Sequence, residues 1–102
     1  MNIFYKEGDV RRRLFRIMRY YVYVLRSNKD GKFYIGFTTN LKQRLQRHSA
    51  GMVTSTRNRR FLRLIHYEYF INKADAKARE VYLKSGGGHD QLRKFLKNTL
   101  CN

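Results

Sequence analysis

From Tyr20 to Leu25 the chain runs Tyr-Tyr-Val-Tyr-Val-Leu, β-branched and aromatic throughout, and Phe33-Tyr34-Ile35-Gly36-Phe37 resumes that character. Between them lie the turn formers Ser27-Asn28-Lys29-Asp30-Gly31, so the pattern predicts a β-hairpin. Leu41 and Leu45 then stand four apart, with Asn40 ready to cap a helix that Gly51 ends shortly after His48. Residues 51–60 form a polar, basic loop. Phe61-Leu62-Arg63-Leu64-Ile65-His66-Tyr67 reads as a third strand, and Asn72 caps a second helix running to about Lys84. The triple glycine Gly86-Gly87-Gly88 is expected to stop that helix, and Asp90 to cap a last one with Leu92, Phe95 and Leu96 on one face. The order β-β-α-β-α-α predicts an α+β fold, a small three-stranded and mostly antiparallel sheet flanked by helices.

Ahead of this pattern, residues 1–19 show no clean period and carry Arg11-Arg12-Arg13 and a second methionine, Met18. They read as a basic accessory segment: a docked helix, a phosphate-seeking arm or leader sequence. Residues 20–98 would form the domain proper, and 99–102 a tail.

Composition narrows the partner. The 102 residues suffice for one domain, and 23 Lys and Arg against 7 Asp and Glu give a formal net charge of +16. Such an excess repels itself unless a polyanion is near, and 15% aromatic residues interleaved with the cations favour nucleic acid over an acidic protein or an anionic membrane. No apolar run is long enough to cross a bilayer and no signal-peptide succession opens the chain, which points to the cytoplasm. The single cysteine, Cys101, excludes an internal disulfide and a thiolate cage for zinc.

Three groups of residues carry candidate chemistry. Tyr23 and Tyr34 sit on adjacent strands of the hairpin, where their hydroxyls converge if the register puts them on one face; rings that merely prop the sheet are the ordinary alternative. Arg44 and His48 share a helix face near Lys42 and Arg47, joining a forked phosphate donor to a proton carrier, although a solvated basic face would look the same. Glu80 is a scarce carboxylate among Lys77, Arg79 and Lys84. It is suited either to a divalent metal or to an ordinary ion pair with Lys84. The loop Thr54-Ser55-Thr56-Arg57-Asn58-Arg59-Arg60 gathers hydroxyls and guanidinium groups as a backbone-phosphate clamp would.

Tyr21-Val22-Tyr23 and Tyr34-Ile35-Gly36, ten residues apart, resemble the paired motif of the GIY-YIG nucleases, with Tyr21 in place of the first glycine. The order of Arg44, His48 and then Glu80, in Ala78-Arg79-Glu80, is similar to that family's, and the layout is closest to its small single-domain members. The resemblance implies a metal-dependent endonuclease of DNA repair, recombination or restriction. In that scheme Glu80 holds one divalent ion, Mg²⁺ or Mn²⁺, Arg44 neutralises the phosphate, and Tyr23 is the general base with Tyr34 and His48 hydrogen-bonded around it. A free phenol has a pKa near ~10, poorly matched to neutral pH, so His48 stands as the alternative base. Some family members add a polar residue after the glutamate, for which Ser85, His89 and Asn98 are the available side chains. Lys42, Arg47, Thr54, Ser55, Thr56, Arg57, Arg59 and Arg60 would touch DNA with little base specificity, recognising shape more than sequence, and the protein would act as a monomer or weak dimer. The competing class is a non-catalytic nucleic-acid-binding module of the same fold.

Overall fold

The computed structural model describes residues 19–59 and 61–101, so the accessory segment, apart from Arg19, and Arg60 lie outside the described residues. The elements run β1 (Tyr20–Ser27), β2 (Phe33–Thr38), α1 (Leu41–Ser49), a 3-10 turn at Arg57–Arg59, β3 (Leu62–Phe70), α2 (Lys73–Lys84), α3 (Gly86–Phe95) and α4 (Lys97–Leu100). The three strands form one antiparallel sheet in the order β2-β1-β3, which agrees with the α+β expectation and places β1 at the centre.

The hairpin turn closes through its polar residues. Gly31 takes φ +71°, Gly31 N–H donates to the Ser27 carbonyl at 2.8 Å, and Asp30 Oδ1 accepts from Lys32 N–H at 2.9 Å. That turn sets Tyr23 opposite Gly36 and Leu25 opposite Tyr34, so the two phenols share a face.

On the other face Val22, Val24 and Ile35 meet Ala76, Leu83 and Leu92 in the buried core, so α2 and α3 cover this side. α1 covers the phenol side, because its His48 reaches the Tyr23 hydroxyl. Asn40 caps α1 by accepting from Gln43 N–H at 3.0 Å, and Asn72 caps α2 by accepting from Ala74 N–H at 2.8 Å, each cap worth about 1 kcal/mol.

Two boundaries differ from the sequence pattern. β3 continues through Glu68, Tyr69 and Phe70, because pairing with Tyr20 to Val22 carries the ladder past Tyr67. The triple glycine opens α3 instead of forming a gap, and the cap is Ser85, not Asp90: Ser85 Oγ accepts from Gly88 N–H at 3.1 Å. The glycine is needed there for contact, since a Cβ on Gly88 would overlap the backbone of Tyr82 and Leu83. Part of the expected tail is likewise ordered, in α4.

Candidate active site

Tyr23 lies on the central strand with no exposed surface, and its ring crosses the strand gap to lie over Gly36. A Cβ at position 36 would overlap the ring carbon bearing the hydroxyl, so glycine at this position is what lets the ring lie flat on β2. The Tyr23 hydroxyl lies 2.8 Å from His48 Nε2, and His48 Nδ1 lies 2.7 Å from Thr56 Oγ1. Tyr34 completes a ring cluster, with centroids 6.2 Å from Tyr23 and 5.0 Å from His48.

Proton positions follow from the surroundings. Burial, then the neighbouring Tyr34, hold the Tyr23 phenol well above its ordinary range despite the pull of the Arg44 guanidinium. Burial first, and the positive Arg44 second, bring His48 down to about 4, so the imidazole is neutral at pH 7. With the phenol protonated and the imidazole neutral, a Thr56 O–H directed at the Val53 carbonyl (3.5 Å) favours the tautomer in which Nδ1–H donates to Thr56 Oγ1 and Tyr23 O–H donates to Nε2. The result is a buried phenol-imidazole-hydroxyl chain.

This burial has a measurable consequence. The unfolded chain binds a proton at His48 below pH 6.5, whereas the folded chain does so only near 4. His48 therefore contributes stability that is complete above pH 6.5 and is lost as pH falls from there towards 4, on the order of 2–3 kcal/mol. Urea denaturation across this window should show a steep loss in the parent and a shallower one in His48→Gln; equal slopes would mean that the ring is not buried as a neutral group.

Glu80 approaches from the other layer. Along α2 it stands between the buried Ala76 and Leu83, and its side chain is 12% exposed. Arg79 turns towards β3, where it pairs with Glu68 at 2.9 Å, while Lys77 lies on the β2 flank with its ammonium 4.2 Å from the Phe37 ring centroid. Glu80 lies on that same flank and pairs with Lys77 at 3.4 Å and Lys84 at 3.0 Å. Both halves of the candidate site thus face β2, an outer strand of the sheet, with rings on one side and the carboxylate on the other. Among the described residues no hydrogen bond joins Glu80 to the ring cluster directly.

The donor set discriminates between metals. Among the described residues there is no cluster of three or more His, Cys, Asp or Glu, which is what a zinc or calcium cage requires. A lone carboxylate suits Mg²⁺, which keeps several waters and takes its remaining oxygens from a substrate phosphate. Lys77 and Lys84 occupy the two Glu80 oxygens in this structure, with side chains 51% and 54% exposed.

The remaining expected residues divide. Arg44 lies half-buried one turn before His48 and acts on both His48 and Tyr23. Lys42, Arg47, Thr54, Ser55 and Arg57 are exposed around α1 and the following loop, open to a phosphate backbone. Thr56 departs from the clamp expectation: fully buried, it orients the imidazole and cannot reach DNA. Arg59 is half-buried against Asp30 at 3.6 Å and the Phe33 carbonyl at 3.3 Å, so it braces the hairpin. Of the polar residues after Glu80, Ser85 serves as a cap and His89 packs edge-on against Phe33 at 5.5 Å.

A family model described as the GIY-YIG catalytic domain matches residues 19–92. A UPF0213 protein of Pediococcus acidilactici is 40% identical over 82 residues, covering 78% of this chain and 82% of its own. A UPF0213 protein of Clostridium perfringens is 42% identical over 65 residues, 63% of this chain and 69% of that one. The solution NMR structure of a UPF0213 protein from Bacillus halodurans superposes with a TM-score of 0.51 at 33% identity, covering 76% of this chain and 85% of that one.

Proposed function

Because the chain belongs to the GIY-YIG catalytic domain family, we propose that it is a metal-dependent endonuclease that hydrolyses DNA phosphodiester bonds at the outer edge of β2. The observation that supports this most strongly is the hydrogen-bonded chain from Tyr23 through His48 to Thr56 with the Arg44 guanidinium acting on it, which groups proton carriers and an anion-binding cation on one face of the sheet.

In this reading the DNA backbone lies along β2 with the scissile phosphate between the two layers. Arg44 takes a phosphate oxygen, and Lys42, Arg47 and Arg57 hold neighbouring phosphates. Substrate binding has to uncover the buried Tyr23 hydroxyl to one water, and that water loses a proton to the Tyr23 oxygen as the phenol passes its own proton to His48 Nε2. The water oxygen then bonds to phosphorus, the bond to the 3′ oxygen breaks, and that oxygen takes a proton from solvent, leaving a 5′ phosphate and a 3′ hydroxyl. Tyr23 need not exist as a free phenolate; the net proton acceptor is His48, whose own low pKa the bound substrate has to raise. An anionic phosphate favours the imidazolium while occupying Arg44, whose charge opposes it in the free protein. Glu80 is the residue that would hold Mg²⁺ or Mn²⁺, and the ion supplies Lewis acidity towards the phosphate and the leaving oxygen.

The test is nicking of supercoiled plasmid by the purified protein. With Mg²⁺ or Mn²⁺ we expect nicked circles bearing 5′ phosphates, and none with EDTA. Salt-sensitive binding without any nicking, in any divalent metal, would assign the protein instead to the non-catalytic binding class.

A further inference from the structure

Among the described residues, the phenol face of the sheet is only half covered. α1 lies over the β1 and β2 side through His48, whereas β3, the opposite outer strand, leaves Tyr67 53% and Tyr69 47% exposed. These rings are not isolated. Tyr21 packs against Tyr69 with centroids 5.7 Å apart and against Tyr67 at 6.2 Å, and Tyr67 is the direct ladder partner of Tyr23. A surface of three touching tyrosines therefore continues from the candidate catalytic phenol to the far edge of the sheet.

We propose that Tyr21, Tyr67 and Tyr69 form a stacking platform for unpaired bases of a nucleic-acid strand that leads into the Tyr23 centre. This rests on the reading of DNA as substrate and adds that the substrate carries a single-stranded stretch beside the cleaved bond. Ring faces are accessible on unpaired bases, whereas a duplex hides them inside its own stack, so an exposed aromatic surface selects the former. Charge agrees. Glu68, the acidic residue between Tyr67 and Tyr69, projects to the opposite face, where Arg79 and His66 hold it. Arg19 and Lys42 line a cleft with Tyr21 and can carry the phosphates of the stacked strand. A second copy of the chain is the less favourable occupant, because two molecules each of net charge +16 repel.

The test measures binding in EDTA, so that cleavage plays no part, with a fluorescein-labelled single-stranded oligonucleotide and a blunt duplex of the same sequence. Tyr67→Ala and Tyr69→Ala should each weaken single-strand binding about fivefold or more, the scale of one base-aromatic stack, while leaving duplex binding within about twofold. Tyr67→Phe and Tyr69→Phe should bind as the parent does, which separates stacking from hydroxyl contacts and from loss of fold. The chain has 8 tyrosines and no tryptophan, so the part of the single-strand quenching of tyrosine emission that is lost in the alanine variants reports the contact. Unchanged single-strand affinity in the alanine variants would overturn the proposal. So would equal losses on both ligands, or unaltered DNA binding with a dimer in the parent sedimenting as a monomer in the variants. Failure of the parent to bind any DNA would instead remove the endonuclease reading beneath it.

Discussion

Glu80→Ala is expected to abolish metal-dependent nicking, a loss of at least about a thousandfold, while DNA binding stays within a few-fold of the parent. The asymmetry follows from position. Glu80 is the one carboxylate on the flank of α2 that faces β2, and its only ion pairs among the described residues are with Lys77 and Lys84. Removing it takes away the oxygen donor that Mg²⁺ needs but leaves the cations that attract phosphate. Two half-exposed lysines are set free, so the electrostatic attraction for DNA rises slightly if it changes at all. The fold should survive, since helix-surface pairs of this type are worth only about 0.3–0.5 kcal/mol each. Nicking and binding assays run on one preparation check the prediction; full cleavage by the variant would take Glu80 out of the mechanism.

Tyr23→Phe should slow cleavage about 10²- to 10⁴-fold, the usual contribution of a positioned proton acceptor. Only an oxygen is lost, so the ring still fills its place over Gly36, but water no longer has an intermediary to His48. His48 Nε2 is left without its donor in a buried setting, which costs roughly 1–3 kcal/mol of stability and leaves the molecule folded. The pH profile separates the two bases. If the variant cleaves as fast as the parent across pH, the phenol is a spectator and His48 takes the proton directly.

Much of this arrangement was legible in the sequence because it rests on local patterns. Alternation and turn formers specify the hairpin, the hairpin register brings Tyr23 and Tyr34 to one face, and four-residue spacing places Arg44 with His48. What escaped depends on contacts across the fold. Thr56 sits in a run of polar residues that reads as a solvent loop, and nothing local indicates that its hydroxyl is turned inward against an imidazole eight residues away. The glycines at 86–88 look like a helix stop, yet close approach between α2 and α3 is what requires Gly88. Tyr67 and Tyr69 form a surface because β3 extends to Phe70, in register with Tyr20 to Tyr23, and nothing local in the sequence marks that extension. That the carboxylate and the rings come from opposite layers, meeting at β2, is a property of helix placement that spacing alone does not encode.

Whether those two layers serve one reacting centre can be read from Mn²⁺-induced broadening of the protein's NMR signals, recorded for the parent and for Glu80→Ala. A shared centre broadens Glu80 together with Tyr34 and Gly36 on β2 in the parent, and all of them sharpen in the variant. Broadening confined to other carboxylates such as Asp30 or Asp90, or unchanged by the loss of Glu80, would mean that no metal joins the phenol side to the carboxylate side.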